Sequence, residues 1–297
     1  MIGKEIRIER IINRTTKRSV IVPMDHGFSL GQIEGLLDMP GIISEVIEGG
    51  ADAIVLHKGL VARYMPVGTD IGLILHLSGS TSLNADPNDK VLVGSVEEAV
   101  TLGADAVSIH VNLGSPGESR MLESAGRVVE DCNRFGIPLL MMIYPRGKGI
   151  DPTAPEAVGH CVRVAEELGA DMIKTNYTGD PVSFGRVVRA CSVPVFVAGG
   201  EKSGDISTLA TIRDAIRAGG AGVCVGRNAF QREDPQGFVR ALGRVVHGDA
   251  DPEVALHSEC PYQPRPCRSF RGSIHSLRGR IHRDDYAVSV SGSGPGT

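Results

Sequence analysis

The chain has 297 residues, of which 41% are hydrophobic, 22% charged and 4% aromatic, with no Trp and a net charge of −4 at pH 7. That length suits one β/α barrel, which needs roughly 250 residues, plus extensions. The charge and the shortage of aromatic side chains argue against a nucleic-acid surface, and the lack of any apolar run of about 18 residues argues against a membrane span.

The first segment, residues 4–18, has the period of an amphipathic helix carrying Lys4, Arg7, Arg10, Arg14, Lys17 and Arg18. Its default reading is a solvated basic face, with an oligomer contact or a barrel lid as alternatives. The N-terminus lacks the apolar core of a secretory signal. Six cysteines (132, 161, 191, 224, 260 and 267) are widely spaced and contain no C-x₂-C pair. That pattern fits neither a zinc cage nor a disulfide framework and predicts reduced thiols in a cytoplasmic protein.

Eight short apolar runs follow, at 19–25, 53–58, 71–78, 106–113, 139–146, 172–177, 193–200 and 222–229. Most are apolar on both pleat faces, as expected of parallel strands covered by helices. Helix-period segments separate them, and four of these end in one punctuation: GGADAIVL, GADAVSI, GADMIK and GGAGVCV. A Gly in the left-handed cap conformation, followed at once by a strand, stops each helix. Repeated βα units of this kind close into an eight-stranded α/β TIM barrel over residues 1–256, with an N-terminal helix. An open doubly wound sheet is the alternative, but no G-x-G-x-x-G follows the first strand. Residues 257–297 hold six Arg, seven Ser, five Gly and four Pro without periodicity, and read as a disordered tail.

In this fold the C-terminal strand ends build the active site. Lys174, in DMIKTNY, has apolar residues before it. Burial there disfavours the ammonium and lowers the pKa, leaving a free amine able to attack a carbonyl. The competing reading is a structural ion pair, perhaps with Asp25. Lys58 and Lys202 are rival nucleophiles. Lys58 follows His57, so alternation turns the two opposite ways, while Lys202 follows Gly199-Gly200 and suits a phosphate contact. Tyr144 can pass protons to and from a hydroxyl, and Asp25, at the end of the first strand, lies within reach of Lys174. The turns at Gly199-Gly200 and Gly226-Arg227 offer backbone amides for phosphate after strands seven and eight, with Arg227 as a bidentate partner. Four strand-end histidines, His26, His57, His76 and His110, leave a metal-assisted route open, although no H-x-H or H-x₃₋₄-H pair occurs.

The motifs VPMDHG, VLHKG, LILHLSGST, GADAVSIHVN, MMIYPRGKGI, IKTNYTGD, VAGGEK and VGRNAFQ together resemble the archaeal-type class I aldolases, from the N-terminal helix to about Leu256. The resemblance implies a Schiff base on Lys174, proton donation by Tyr144 and proton acceptance by Asp25, with no metal or other cofactor. It also implies contacts to a phosphorylated sugar from Asp25, His26, Gly27, Phe28 and Ser29, from Tyr144, Pro145 and Arg146, and from Gly199, Gly200, Gly226 and Arg227. Phe28 and Leu30 depart from the family pattern, which bears on the choice of donor. The branch most resembled condenses a three-carbon unit from a phosphorylated keto sugar with L-aspartate semialdehyde. The donor is 6-deoxy-5-ketofructose 1-phosphate or dihydroxyacetone phosphate, and the C7 amino keto acid formed feeds 3-dehydroquinate or an aminohydroxybenzoate. A homo-oligomer is expected. Fructose-1,6-bisphosphate aldolase and a non-catalytic phosphate-binding barrel are the competing readings.

Overall fold

The computed structural model describes residues 1–200 and 202–258. Eight parallel strands close into a barrel: β1 (Ser19–Pro23), β2 (Ala53–Leu56), β3 (Gly72–His76), β4 (Ala106–Leu113), β5 (Leu139–Pro145), β6 (Met172–Thr175), β7 (Val195–Ala198) and β8 (Gly222–Cys224). Neighbours in the ring are consecutive in the chain, and β8 closes onto β1 through Ser19↔Gly222 and Val20↔Val223. The expected TIM barrel is therefore present. Several strands end earlier than their apolar runs, because the polar residues at their C-terminal ends leave the sheet to form loops. The run 71–78 divides: β3 stops at His76, and Ser78–Gly79 pairs antiparallel with Val91–Leu92.

Apolar side chains form two layers. The larger lies between strands and helices and includes Val20, Val22, Ile54 and Leu75. The smaller fills the barrel interior with Ile21, Val55, Ile74, Leu140, Met142, Met172 and Phe196. Alternation along each strand assigns residues to one layer or the other. No helix among the described residues is long and apolar enough to cross a membrane. The tail expected over 257–297 lies, from residue 259 on, outside the described residues, as do Cys260 and Cys267. Cys132, Cys161, Cys191 and Cys224 are free thiols.

The N-terminal helix α1 (Ile2–Ile11) is shorter than its period predicts. The Asn13 side chain accepts hydrogen bonds from the amides of Thr15 (2.9 Å) and Thr16 (3.2 Å), a local turn that competes with helix. Lys17 then takes a left-handed backbone (φ 57°). The solvated basic face is also corrected. Lys4 is buried and donates to Asp171 (2.7 Å), Arg10 pairs with Asp105, Arg7 reaches the Gly136 carbonyl (3.0 Å) and Arg18 the Val246 carbonyl (2.9 Å). Ile8, Ile11 and Ile12 pack into the barrel interior, so the helix is a plug on the N-terminal end.

The repeated Gly-Ala-Asp punctuation explains those partners. Gly50, Gly103 and Gly169 all have positive φ, as helix stops require. The Asp that follows in each copy accepts from an amide at the start of the preceding strand, 32 residues earlier: Asp52 from Val20, Asp105 from Leu73 and Asp171 from Leu139. In the fourth copy Gly222 replaces Asp, at φ 144°, where a Cβ would collide with the Ser19 backbone. Replacing Asp171 with Ala removes the partner of the Leu139 amide and leaves the Lys4 ammonium unpaired. The expected loss is about 3 kcal/mol, seen as a lower urea midpoint with an unchanged slope.

Candidate active site at the C-terminal end of the barrel

Interior alternation delivers the site. Asp25 continues the inward column of Ile21, His57 that of Val55, His76 that of Ile74, Tyr144 that of Met142 and Lys174 that of Met172. Ser108, His110 and Asn112 share the inward column of β4, and Cys224 is the inward residue of β8. Lys58 falls on the opposite face from His57, where it pairs with Glu98 (3.0 Å) and is half exposed. Pro145 is buried in β5, in register with Leu113 and on the face away from Tyr144.

Asp25 sits among imidazoles. Its Oδ1 lies 3.4 Å from His26 Nδ1 and its Oδ2 lies 3.7 Å from His76 Nε2. His76 Nδ1 meets Ser108 Oγ at 2.8 Å, and both residues are buried, so the Nε2 edge of the ring is fixed toward the carboxylate. His57 stacks edge-on against His76 (5.2 Å) and is covered by Phe28 (4.6 Å). Burial pushes all three imidazoles below their ordinary value, His76 to about 4, so they are neutral at neutral pH. Burial also opposes the Asp25 charge, but His76, His26, Lys174 and His57 outweigh it and hold the carboxyl well below the usual range. Once the imidazoles are neutral, Lys174 supplies the balancing charge.

Lys174 is buried beside Tyr144 and Cys224. Burial pushes the amine down, as expected from the sequence, but Cys224, Tyr144 and Asp25 together raise it above the ordinary lysine value. The resting amine is therefore protonated, which corrects the expectation of a free amine produced by burial alone. A direct Lys174–Asp25 ion pair does not form either, since the nitrogens within 4 Å of the carboxylate belong to the His26 and His76 rings. Burial pushes the Tyr144 hydroxyl up and carries the Cys224 thiol to about 11, so both groups keep their protons at neutral pH. The Tyr144 ring is held by His110 (4.9 Å) and by the Arg146 guanidinium (5.5 Å).

The turns after β7 and β8 meet at the mouth. Asn228 Nδ2 donates to the Gly199 carbonyl (2.7 Å), Arg227 reaches the Gly200 carbonyl (3.4 Å), and the Ser203 amide donates to Asn228 Oδ1 (3.0 Å). Gly226 lies against His26, where a Cβ would strike the ring and the Pro23 carbonyl. Glycine there brings the β8 turn onto the β1 loop. Gly27, Phe28 and Ser29 lie on the short helix His26–Leu30 along the same rim, and Lys202 is exposed on the β7 loop. His26 Nδ1 is buried without a hydrogen-bond partner. Asn228, which clamps the two turns together, escaped the sequence reading although it follows Arg227 directly. Cys224 was legible by parity from Gly226. Lys90 also comes close enough to Asp25, His76 and His110 to act on them electrostatically, and only the fold of the loop after β3 reveals it. His26, His57 and His76 surround Asp25 while His110 turns to Asn112 and Tyr144, and among the described residues no group of three or more His, Cys, Asp or Glu side chains is placed to hold a metal ion.

Residues 19–232 match the DeoC/LacD family aldolase profile. A 2-amino-3,7-dideoxy-D-threo-hept-6-ulosonate synthase of Halobacterium salinarum is 48% identical over 254 residues, covering 86% of this chain and 95% of that protein. A 2-amino-4,5-dihydroxy-6-oxo-7-(phosphonooxy)heptanoate synthase of Streptomyces griseus is 43% identical, covering 82% of this chain and 90% of that protein. An archaeal fructose-1,6-bisphosphate aldolase, solved with its catalytic Lys covalently bound to the carbinolamine intermediate, superposes with a TM-score of 0.77 at 36% identity, covering 82% of this chain and 99% of that one. On the extent of these matches and the closed barrel, the chain belongs to the DeoC/LacD family of aldolases.

Proposed function

We propose that this chain is a Schiff-base aldolase or transaldolase that joins a three-carbon keto unit to L-aspartate semialdehyde. The observation that carries the reading is the convergence of Lys174, Tyr144 and Asp25 on one barrel mouth, beside the two glycine turns. The donor phosphate lies against Gly199-Gly200 and Gly226-Arg227, with Lys202 at the edge. The deprotonated Lys174 amine adds to the donor ketone, and loss of water leaves an iminium. Tyr144 and Asp25 move the protons of that dehydration: the neutral phenol protonates the departing hydroxyl, and the carboxylate accepts in return. The Tyr144 phenolate left by that step then takes a proton, either from the carbon beside the iminium or from the hydroxyl next to the carbon–carbon bond that breaks, with the rest of the donor leaving as an aldehyde, and an enamine results. Its carbon attacks the aldehyde, the new alkoxide takes a proton from Tyr144, and water releases the C7 amino keto acid and the amine.

Two donors fit the site. The names of the two relatives describe seven-carbon amino keto acids without and with a phosphate on carbon seven. They correspond to 6-deoxy-5-ketofructose 1-phosphate and dihydroxyacetone phosphate respectively. The second reading, cleavage of fructose 1,6-bisphosphate, is favoured by the superposition on the archaeal aldolase. Mass spectrometry of mixtures of L-aspartate semialdehyde with each donor tests the proposal. A C7 adduct is expected from one of them, and turnover of fructose 1,6-bisphosphate alone would favour the second reading instead. The four free thiols support a reducing compartment such as the cytoplasm. Ile2 and Ile6, exposed one helical turn apart on α1, support a homo-oligomer contact.

A further inference from the structure

We propose that Lys90 and Arg146 form a carboxylate subsite that binds the aldehyde acceptor on the β3–β5 side of the mouth. The proposal rests on the reading of the chain as an aldolase that takes L-aspartate semialdehyde. Lys90 is delivered by the loop after β3, whose two ends pair antiparallel as Ser78–Gly79 with Val91–Leu92. Its ammonium donates to Ser80 Oγ (2.6 Å), and that hydroxyl donates onward to the Pro87 carbonyl (2.6 Å). One N–H is thereby fixed and two remain. Lys90 is half-buried, yet no ion pair joins it to a carboxylate among the described residues. Arg146 likewise has no carboxylate partner there and lies over the Tyr144 ring. By contrast Arg120, nearby, is engaged by Asp89. The Asp25 and Asp86 carboxylates act on the ammonium only from beyond ion-pair distance, so a ligand carboxylate in direct contact would offset its partial desolvation further.

The surroundings suit a carboxylate. Lys90 is close enough to His110, Asp25 and Arg146 to act on each of them electrostatically. The His110 ring is tied to Asn112 Oδ1 (2.9 Å), and Asn112 donates to the Asn88 carbonyl (2.7 Å), so the wall between the two cations is neutral and polar. Burial keeps His110 uncharged. The barrel order then fixes the direction of the substrate. β7 and β8, which carry the phosphate turns, lie across the ring from β3 and β4, with β5 and β6 between them on one side. A donor anchored at those turns and joined to Lys174 presents its nucleophilic carbon toward β3–β5. An aldehyde meeting that carbon points its far end, which in L-aspartate semialdehyde bears the carboxylate, at Lys90 and Arg146.

Steady-state kinetics with the full-length protein test the assignment. Lys90→Met is expected to raise KM for L-aspartate semialdehyde roughly 10- to 100-fold, the worth of a charge-assisted contact. Lys90→Arg should restore most of that loss. Propanal, an acceptor without a carboxylate, should serve wild type and Lys90→Met equally poorly, and borohydride trapping of the donor should be unchanged. An unchanged KM for L-aspartate semialdehyde in Lys90→Met, or an equal rise for propanal, overturns the subsite while leaving the functional reading intact. Wild-type protein that makes no product from L-aspartate semialdehyde with either donor overturns both.

Discussion

Lys174→Met is expected to abolish donor capture: borohydride adds no mass to the variant in the presence of either donor, and turnover falls by about 10⁴-fold or more. Methionine keeps the length and apolar character of the side chain inside the barrel, so the fold survives and the loss reports chemistry. Lys58→Met is the matched control. Its ion pair with Glu98 is half exposed and contributes at most about 1 kcal/mol, so adduct formation should stay at the wild-type level. Adduct mass retained in Lys174→Met and lost in Lys58→Met would reverse the assignment. The raised Lys174 value gives this experiment a pH signature. Because the amine is held protonated, the reactive fraction grows with pH, and the rate of adduct formation should climb from about pH 6 to about pH 9 without levelling off. A plateau beginning near neutrality would mean that the amine is already free in the resting site.

Tyr144→Phe is expected to lower kcat by roughly 10²- to 10⁴-fold, the usual contribution of a positioned proton donor. The ring remains, so its contacts with His110 and Arg146 persist and the unfolding midpoint should move little. Intact mass without reductant separates this defect from that of Lys174→Met. The Tyr144→Phe variant still allows the amine to add to the ketone, so the donor should accumulate on the enzyme as the carbinolamine while dehydration and product formation stall. Unchanged kcat in Tyr144→Phe would shift proton donation to another group, with the Cys224 thiol, which also neighbours Lys174 on the inner face, a candidate.

Much of this arrangement was legible because a barrel converts sequence parity into direction. Met172 and Lys174 differ by two positions, as do Met142 and Tyr144, so an apolar inward residue predicts where the polar one above it points. The same rule separated Lys58 from His57. Parity does not report distance or charge balance, and the Lys174 expectation failed on that point: burial was foreseen, but not the closeness of Cys224 and Tyr144. Loops were less readable still. Lys90 reaches the mouth only because a two-residue strand pair folds its loop back, and a pair so short leaves almost no periodic trace. The overlong N-terminal helix failed for a local reason, since the Asn13 turn outcompetes a helical period that continues past it in the sequence.

The plug at the base of the barrel also sets an order of events. The contacts of α1 span large distances along the chain, 95 residues from Arg10 to Asp105 and 167 from Lys4 to Asp171. On a ribosome, α1 therefore waits until 167 further residues have been added before its second anchor exists. Ile8, Ile11 and Ile12 remain uncovered for that interval, during which intermediates of large barrels are most prone to aggregate. The three base aspartates each join neighbouring strands only 32 residues apart. Local clamping can thus run ahead of the helix, leaving its docking as the late step that seals the interior.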